Sequence, residues 1–193
     1  EKESLNISLS EMDVDSDESV EKAMSAILKE VGFIDVLVNN AGIERHGSTE
    51  EMPMSYFKAI METNYFGVIR CVKGVLPLMR KNKKGCIINV ASVAGHIANS
   101  PLGAYAASKF ALEAISESLA QEVKPFNIRV AIVEPGIINT DMAKNISVAS
   151  DSIYPHTKRF GGLFKASLGV PDSRGEHPWS SNHPLHQNLS KCQ

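Results

Sequence analysis

The chain has 193 residues, 43% of them hydrophobic and 22% charged, with a formal net charge of -2. That profile fits one globular domain with a single core and gives no reason to expect nucleic acid or an anionic membrane as a partner. No apolar run approaches the roughly 18 residues of a membrane helix, residues 1–6 are too polar for a signal peptide, and the three scattered cysteines, Cys71, Cys86 and Cys192, argue for a reducing, cytoplasmic setting rather than a disulfide framework.

Residues 8–14 read as a strand ending at Asp13-Val14. Asp15 or Ser16 can cap a helix running to about residue 31, with Val20, Met24, Ile27 and Leu28 on one face. Gly32 stops it, and residues 34–38 form a short apolar strand leading into Asn39-Asn40-Ala41-Gly42. Helical patterning resumes near Met54 and continues, with interruptions, to about Met79. A strand is expected at residues 86–90, a long helix at 103–124 ended by Pro125, and a third apolar strand at 128–133 that meets Pro135-Gly136. Residues 169–193 are rich in Pro, Ser, His and Asn and read as a flexible tail behind a domain of residues 1–168.

Strands that are apolar throughout, alternating with helices, predict right-handed parallel crossovers and a sheet covered on both faces. The expected class is therefore α/β, a doubly wound parallel sheet of Rossmann-like type. Ligands bind such sheets at the carboxyl ends of the strands. Asp13, Asn40, Ser92 and Pro135-Gly136 each follow a predicted strand, so the polar motifs fall where a ligand belongs.

Tyr105 and Lys109 stand at i and i+4 on the long helix and share a face. An ammonium within about 4–6 Å of a phenol favours the phenolate and lowers its pKa by roughly 1–3 units, which brings it toward the range of a general acid/base. Spacing alone does not single this pair out, because Tyr154 and Lys158 repeat it. There, however, Pro155 disfavours a helical backbone at Tyr154, and the position matching Ser92 is Asp141. Ser92, thirteen residues before Tyr105, can hydrogen-bond a substrate carbonyl and its developing oxyanion, or simply serve as a turn residue. Asn64 is unfavourable inside a helix; it can bond local backbone or hold a water in a proton relay. No His/Cys spacing suggests a metal.

Asp13-Val14, Asn39-Asn40-Ala41-Gly42, Asn64, Ser92, Tyr105, Lys109 and the run Pro135-Gly136-Ile137-Ile138-Asn139-Thr140, in this order and spacing, resemble the classical short-chain dehydrogenase/reductase family from about residue 9 to 142. The resemblance implies hydride transfer between NAD or NADP and a carbonyl or secondary alcohol. In it Tyr105 is the acid/base, Ser92 orients the carbonyl, Lys109 lowers the pKa of Tyr105 and binds the nicotinamide ribose, and Asn64 holds the relay water. Asp13 meets the adenine amino group with Val14 beside the ring, and Asn40 lines the groove near the adenosine ribose. Ile138 and Thr140 meet the nicotinamide end. The small residues Ala104, Ala107, Ala111, Ala114 and Ser118 on the same helix either pack within the subunit or, as in the family, form the interface of a homodimer or homotetramer.

The chain also departs from the family. No Gly-x-x-x-Gly-x-Gly precedes the strand at 34–38, and the first glycine is Gly32. The family's strand order is 3-2-1-4-5-6-7, so an N-terminally incomplete sheet leaves the strand ending at Val14 without a neighbour and bares an edge of the strand at 34–38. That is costly and predicts a fragment of a longer reading frame, or a chain that folds poorly alone. Residues 139–168 can form a lid whose Met142, Ile146, Ile153, Phe160, Leu163 and Phe164 would favour an apolar substrate, or the same residues can simply pack on the sheet. Two functional readings stand beside each other: an oxidoreductase, and an inactive truncated chain acting only by association with full-length subunits. A pure binding module would leave the acid/base set without a purpose.

Overall fold

A computed structural model of the chain describes residues 7–136 and 152–160. Ile138, Thr140, Met142, Ile146, Leu163, Phe164 and the expected tail at 169–193 lie outside the described residues.

Helix α1, Asp17–Val31, begins at Ser16, whose hydroxyl accepts from the Ser19 N–H, and ends at Gly32, whose φ of 76° few other residues adopt. Strand β1 is Val36–Asn39. Helices α2, Met54–Met61, and α3, Gly67–Asn82, are joined without a break by a π-helical turn at Glu62–Phe66. Strand β2, Gly85–Val90, is followed by a 3₁₀ turn at Val93–Gly95. Helix α4, Gly103–Val123, passes through a 3₁₀ turn that contains Pro125 into β3, Ile128–Val133. The strands form a parallel sheet in the order β1-β2-β3.

Two expectations need correction. Residues 8–14 form no strand. A strand gains its stability from a paired neighbour, and the described residues offer this segment none. Instead Met12 and Val14 pack on the core while Leu9 is 95% exposed. The edge of β1 away from β2 is likewise unpaired among the described residues, as the strand order requires. Second, among the described residues the sheet is covered on one face only. Leu37, Ile87 and Ile128 are buried under α3 and α4, whereas Val36 and Val38 on the other face are 50% and 54% exposed. Both crossovers, β1 to β2 and β2 to β3, step the same way, and right-handed connections stepping one way lay their helices on one side.

The core runs between sheet and helices through Val75, Met79, Ile87, Leu112 and Ile128, with Val20 and Met24 of α1 closing it over α3. Each such side chain contributes about 1.5–3 kcal/mol when fully buried. Within it runs a line of satisfied polar groups. Asn39 donates to Asn89 at 2.8 Å, Asn89 to Ser116 at 2.8 Å, and Ser116 to the Leu112 carbonyl at 2.6 Å. Among the described residues no helix is long and apolar enough to cross a membrane.

Candidate active site

The carboxyl ends of β1, β2 and β3 open onto one site whose floor is α4. Tyr105 and Lys109 lie on consecutive turns of that helix and are both buried. The Lys109 Nζ donates to the Val90 carbonyl at the end of β2, at 2.8 Å, and stands 5.6 Å from the centroid of the Tyr105 ring. Burial drives its pKa down from the usual range to about 8, against the pull of the Glu44 and Glu113 carboxylates.

The expected lowering of the phenol's pKa by Lys109 is not found. Burial pushes Tyr105 above the ordinary phenol range; the contact with the Ser92 hydroxyl works the other way, and the Glu44 carboxylate adds to the rise. Dehydration of the phenolate is the largest cause of the rise, and the Lys109 amine, itself dehydrated and bonded to Val90, is not among the groups that offset it.

Ser92 is brought to Tyr105 by the end of β2. Its backbone is extended, its hydroxyl accepts from the Ala94 N–H at 3.2 Å, and it donates weakly to the Pro135 carbonyl at 3.4 Å. The turn role and the place beside the phenol are thus held together.

Asn64 sits in the π-helical turn, wholly buried. Such one-turn bulges recur at functional sites. The wider turn aims its carboxamide at the loop after β1. There Oδ1 accepts from the Ile43 N–H at 2.8 Å, and Nδ2 donates to the Ile43 carbonyl at 2.9 Å and to the Ser108 hydroxyl at 3.0 Å. A Cβ at Gly42 would lie 3.3 Å from Asn64 Oδ1 and 3.8 Å from Lys109 Nζ, so both atoms border the space that this glycine leaves.

The remaining positions are more scattered. Asn40 is exposed just past β1, whereas its neighbour Asn39 is core. Asp13 is exposed in the turn before α1: its N–H donates to Ser19 Oγ at 2.9 Å and its carboxylate accepts from the Asp15 N–H at 3.0 Å. Val14 packs against Gly67, where a Cβ would lie 3.0 Å away, and its carbonyl accepts from Arg70, which also pairs with Asp17 and Glu62. This turn is therefore fixed to the helix that carries Asn64. Tyr154 precedes the helical residues 155–160; its hydroxyl bonds Glu50, and its N–H donates to Ser152 Oγ at 3.1 Å.

Ser108, Glu44 and His46 escaped the sequence reading. Ser108 is fully buried between Asn64 and the Tyr105 carbonyl; its place three residues after Tyr105 is the one signal that could have marked it. Glu44 meets His46 at 2.5 Å, and His46 meets the Phe160 ring edge-on at 5.8 Å, contacts with no periodicity to announce them. The 152–160 segment is tied to the same region by Ser152 Oγ and the Ile153 N–H, which donate to Glu51 at 2.6 and 2.8 Å.

Residues 1–151 match the short chain dehydrogenase family, and the chain belongs to it. It is 43% identical over 170 residues to a 3-ketodihydrosphingosine reductase of Bacteroides thetaiotaomicron, covering 86% of this chain and 62% of that one. It is 41% identical over 169 residues to human retinol dehydrogenase 8, covering 87% and 53%. Among solved structures, a short-chain dehydrogenase from Streptomyces avermitilis matches with a TM-score of 0.65 at 40% identity, covering 70% of this chain and 49% of that one. A gluconate 5-dehydrogenase from Burkholderia cenocepacia, in complex with NADP and tartrate, matches with a TM-score of 0.67 at 29% identity, covering 69% and 52%. The Rossmann-like α/β class is thereby established, and the chain spans roughly half to three fifths of the length of these relatives.

Proposed function

We propose that this chain carries the acid/base centre of an oxidoreductase that transfers a hydride between NAD or NADP and a carbonyl or alcohol. The supporting observation is the convergence of Ser92, Asn64 and the α4 pair Tyr105 and Lys109, from three separate segments, at the carboxyl ends of the strands. Tyr105 donates its proton to the carbonyl oxygen, and Ser92 donates a hydrogen bond to the same atom. A phenol that burial keeps neutral is equipped for the reductive direction.

The donor set of Lys109 fits the ribose of the cofactor. An ammonium has three donors; one is bonded to Val90, and two remain for a diol beside the space at Gly42. When bound, the nicotinamide supplies the hydride. Asn64 fixes the loop at Ile43 and Ser108 and keeps an Oδ1 lone pair for a relay water near Lys109. Asp13 and Val14 take the adenine, Asn40 the adenosine ribose, and Ile138 and Thr140 the nicotinamide end. The described residues hold no glycine-rich turn for the pyrophosphate.

For the substrate we favour an apolar carbonyl or alcohol. Two relatives carry names that specify a 3-keto compound and retinol, and Ile153 and Phe160 lie on the segment tied to the loop after β1. A homodimer or homotetramer through the part of the α4 stripe that is exposed, Ala107, Ala114 and Ser118, completes the reading, whereas Ala104 packs inside the subunit. The test is cofactor oxidation with both nucleotides and a panel of carbonyls, for the parent and Tyr105→Phe. Loss of turnover by roughly 10²–10⁴-fold, with cofactor affinity spared, is expected. Retained turnover in the variant removes Tyr105 from the mechanism.

A further inference from the structure

His96, Glu113 and Glu134 come from three segments: the end of the 3₁₀ turn after β2, the third turn of α4, and the residue after β3. Their ligand atoms all lie within 4.8 Å of one another. His96 Nε2 is 3.1 Å from Glu134 Oε1 and 3.9 Å from Glu113 Oε1. The proposed hydride transfer uses none of the three.

Glu113 is the informative member. It is 6% exposed, and its Oε1 makes no hydrogen bond among the described residues. A buried carboxylate with an unmet oxygen is unfavourable unless a proton or a cation compensates it. The half-exposed His96 imidazole stands 3.9 Å from that oxygen, beyond hydrogen-bond reach. The fold nevertheless keeps room for this carboxylate: a Cβ at Gly95 would lie 3.0 Å from Glu113 Cγ and 3.2 Å from Oε1. An ordinary side chain at 95 would crowd Glu113 out of its position.

We propose that His96, Glu113 and Glu134 bind a divalent transition cation, with zinc the best match. One imidazole nitrogen and two carboxylate oxygens are a ligand set that zinc accepts. Metal–ligand distances of 2.0–2.2 Å place tetrahedral donors about 3.3 Å apart. The His96–Glu134 pair, at 3.1 Å, already has that spacing, and Glu113 Oε1, 3.9 Å from His96 Nε2, has to close in on both. His96 and Glu134 have side chains 52% and 43% exposed, which leaves an entry path from solvent and room for a water ligand.

The cation would join three segments that also serve the site above. Ser92 is four residues before His96, Lys109 is one helical turn before Glu113, and Pro135 follows Glu134. Spacing along the chain conceals the set because its members are far apart in sequence. The proposal does not depend on the hydride-transfer reading, since binding and melting report it directly.

The experiment is calorimetric titration of the full chain with zinc chloride, paired with thermal melting with and without zinc. Residues His177, His183, His186 and Cys192 also offer zinc ligands, so the deciding comparison is with His96→Asn and Glu134→Gln. Both positions are half-exposed and tolerate substitution. One equivalent that raises the melting temperature in the parent, weakened at least tenfold in both variants, is the expected result. Glu113→Gln should raise the zinc-free melting temperature and abolish the response to zinc. No zinc response in the parent, or isotherms unchanged in His96→Asn and Glu134→Gln, would overturn the proposal whether or not the Glu113 variant folds.

Discussion

Lys109 holds its amine 5.6 Å from the ring centroid of Tyr105 while donating to the Val90 carbonyl at 2.8 Å, and burial moves the two groups' pKa values in opposite directions. The amine falls to about 8 and the phenol rises. Both shifts favour the neutral form, as desolvation must. The pair is thus a neutral donor beside a cation only weakly held in its charged state.

Lys109 therefore leaves a signature in stability. Its pKa is lower folded than unfolded, where it is near 10.4, so between about pH 8 and pH 10.4 the unfolded chain binds more protons. Stability then rises with pH across that window, and the penalty of the buried ammonium is fully present below pH 8. The span corresponds to about 3 kcal/mol. Lys109→Met should remove this rise, which denaturant melts at pH 7 and pH 9.5 would show, while also weakening cofactor binding and turnover. The lost bond to Val90 will offset part of the gain at pH 7. An unchanged pH slope in the variant would exclude Lys109 as its source.

The strands at 34–38, 86–90 and 128–133 and the caps at Ser16 and Gly32 were legible in the sequence because each rests on local chemistry. Strand ends put Ser92 where a ligand belongs, and the wider motif series, not spacing, set it beside Tyr105. Residues 8–14 misled because their apolar pattern is that of a strand, and a strand also needs a partner. The π turn at Asn64 was hidden because an extra residue in a helix leaves no composition signal; only the unsuitability of Asn in a helix hinted at it. Ser108 and Glu44 gain their meaning from contacts 44 residues apart along the chain, or from a carboxylate's effect on a buried phenol, and neither has a period.

Asn64→Ala should cost stability as well as rate. It removes three hydrogen bonds and strands the N–H and carbonyl of Ile43. Leaving two partly buried backbone groups unmet costs about 2–4 kcal/mol. Urea denaturation should show that loss at every pH, unlike the Lys109 effect. A loss well under 1 kcal/mol would mean that the Ile43 loop finds water instead.

Gly67→Ala tests the link between Val14 and the helix behind it. Gly67 is helical, so alanine should gain up to about 1 kcal/mol from propensity. Its Cβ would, however, lie 3.0 Å from two Val14 carbons and 3.2 Å from the Val14 carbonyl. That contact should displace the Asp13-Val14 turn. Adenine nucleotide affinity, measured with AMP, should fall several-fold, with little effect on the phenol titration of Tyr105. Unchanged AMP affinity would show that the turn does not serve the adenine.

The stripe on α4 is the last relationship to test. Ala107, Phe110 and Ala114 are exposed along one side of the helix, while Tyr105, Leu112 and Glu113 are buried on the other. Small residues allow a second backbone to approach closely, and Phe110, 43% exposed, adds apolar area that water disfavours. Ala114→Arg places a charge in the middle of this stripe without touching the core. If the stripe is a subunit interface, light scattering should show a dimer or tetramer becoming a monomer, with the melting temperature falling in a concentration-dependent way. If the stripe only faces solvent, neither quantity should move, since exposed helix substitutions usually stay within about 0.5 kcal/mol.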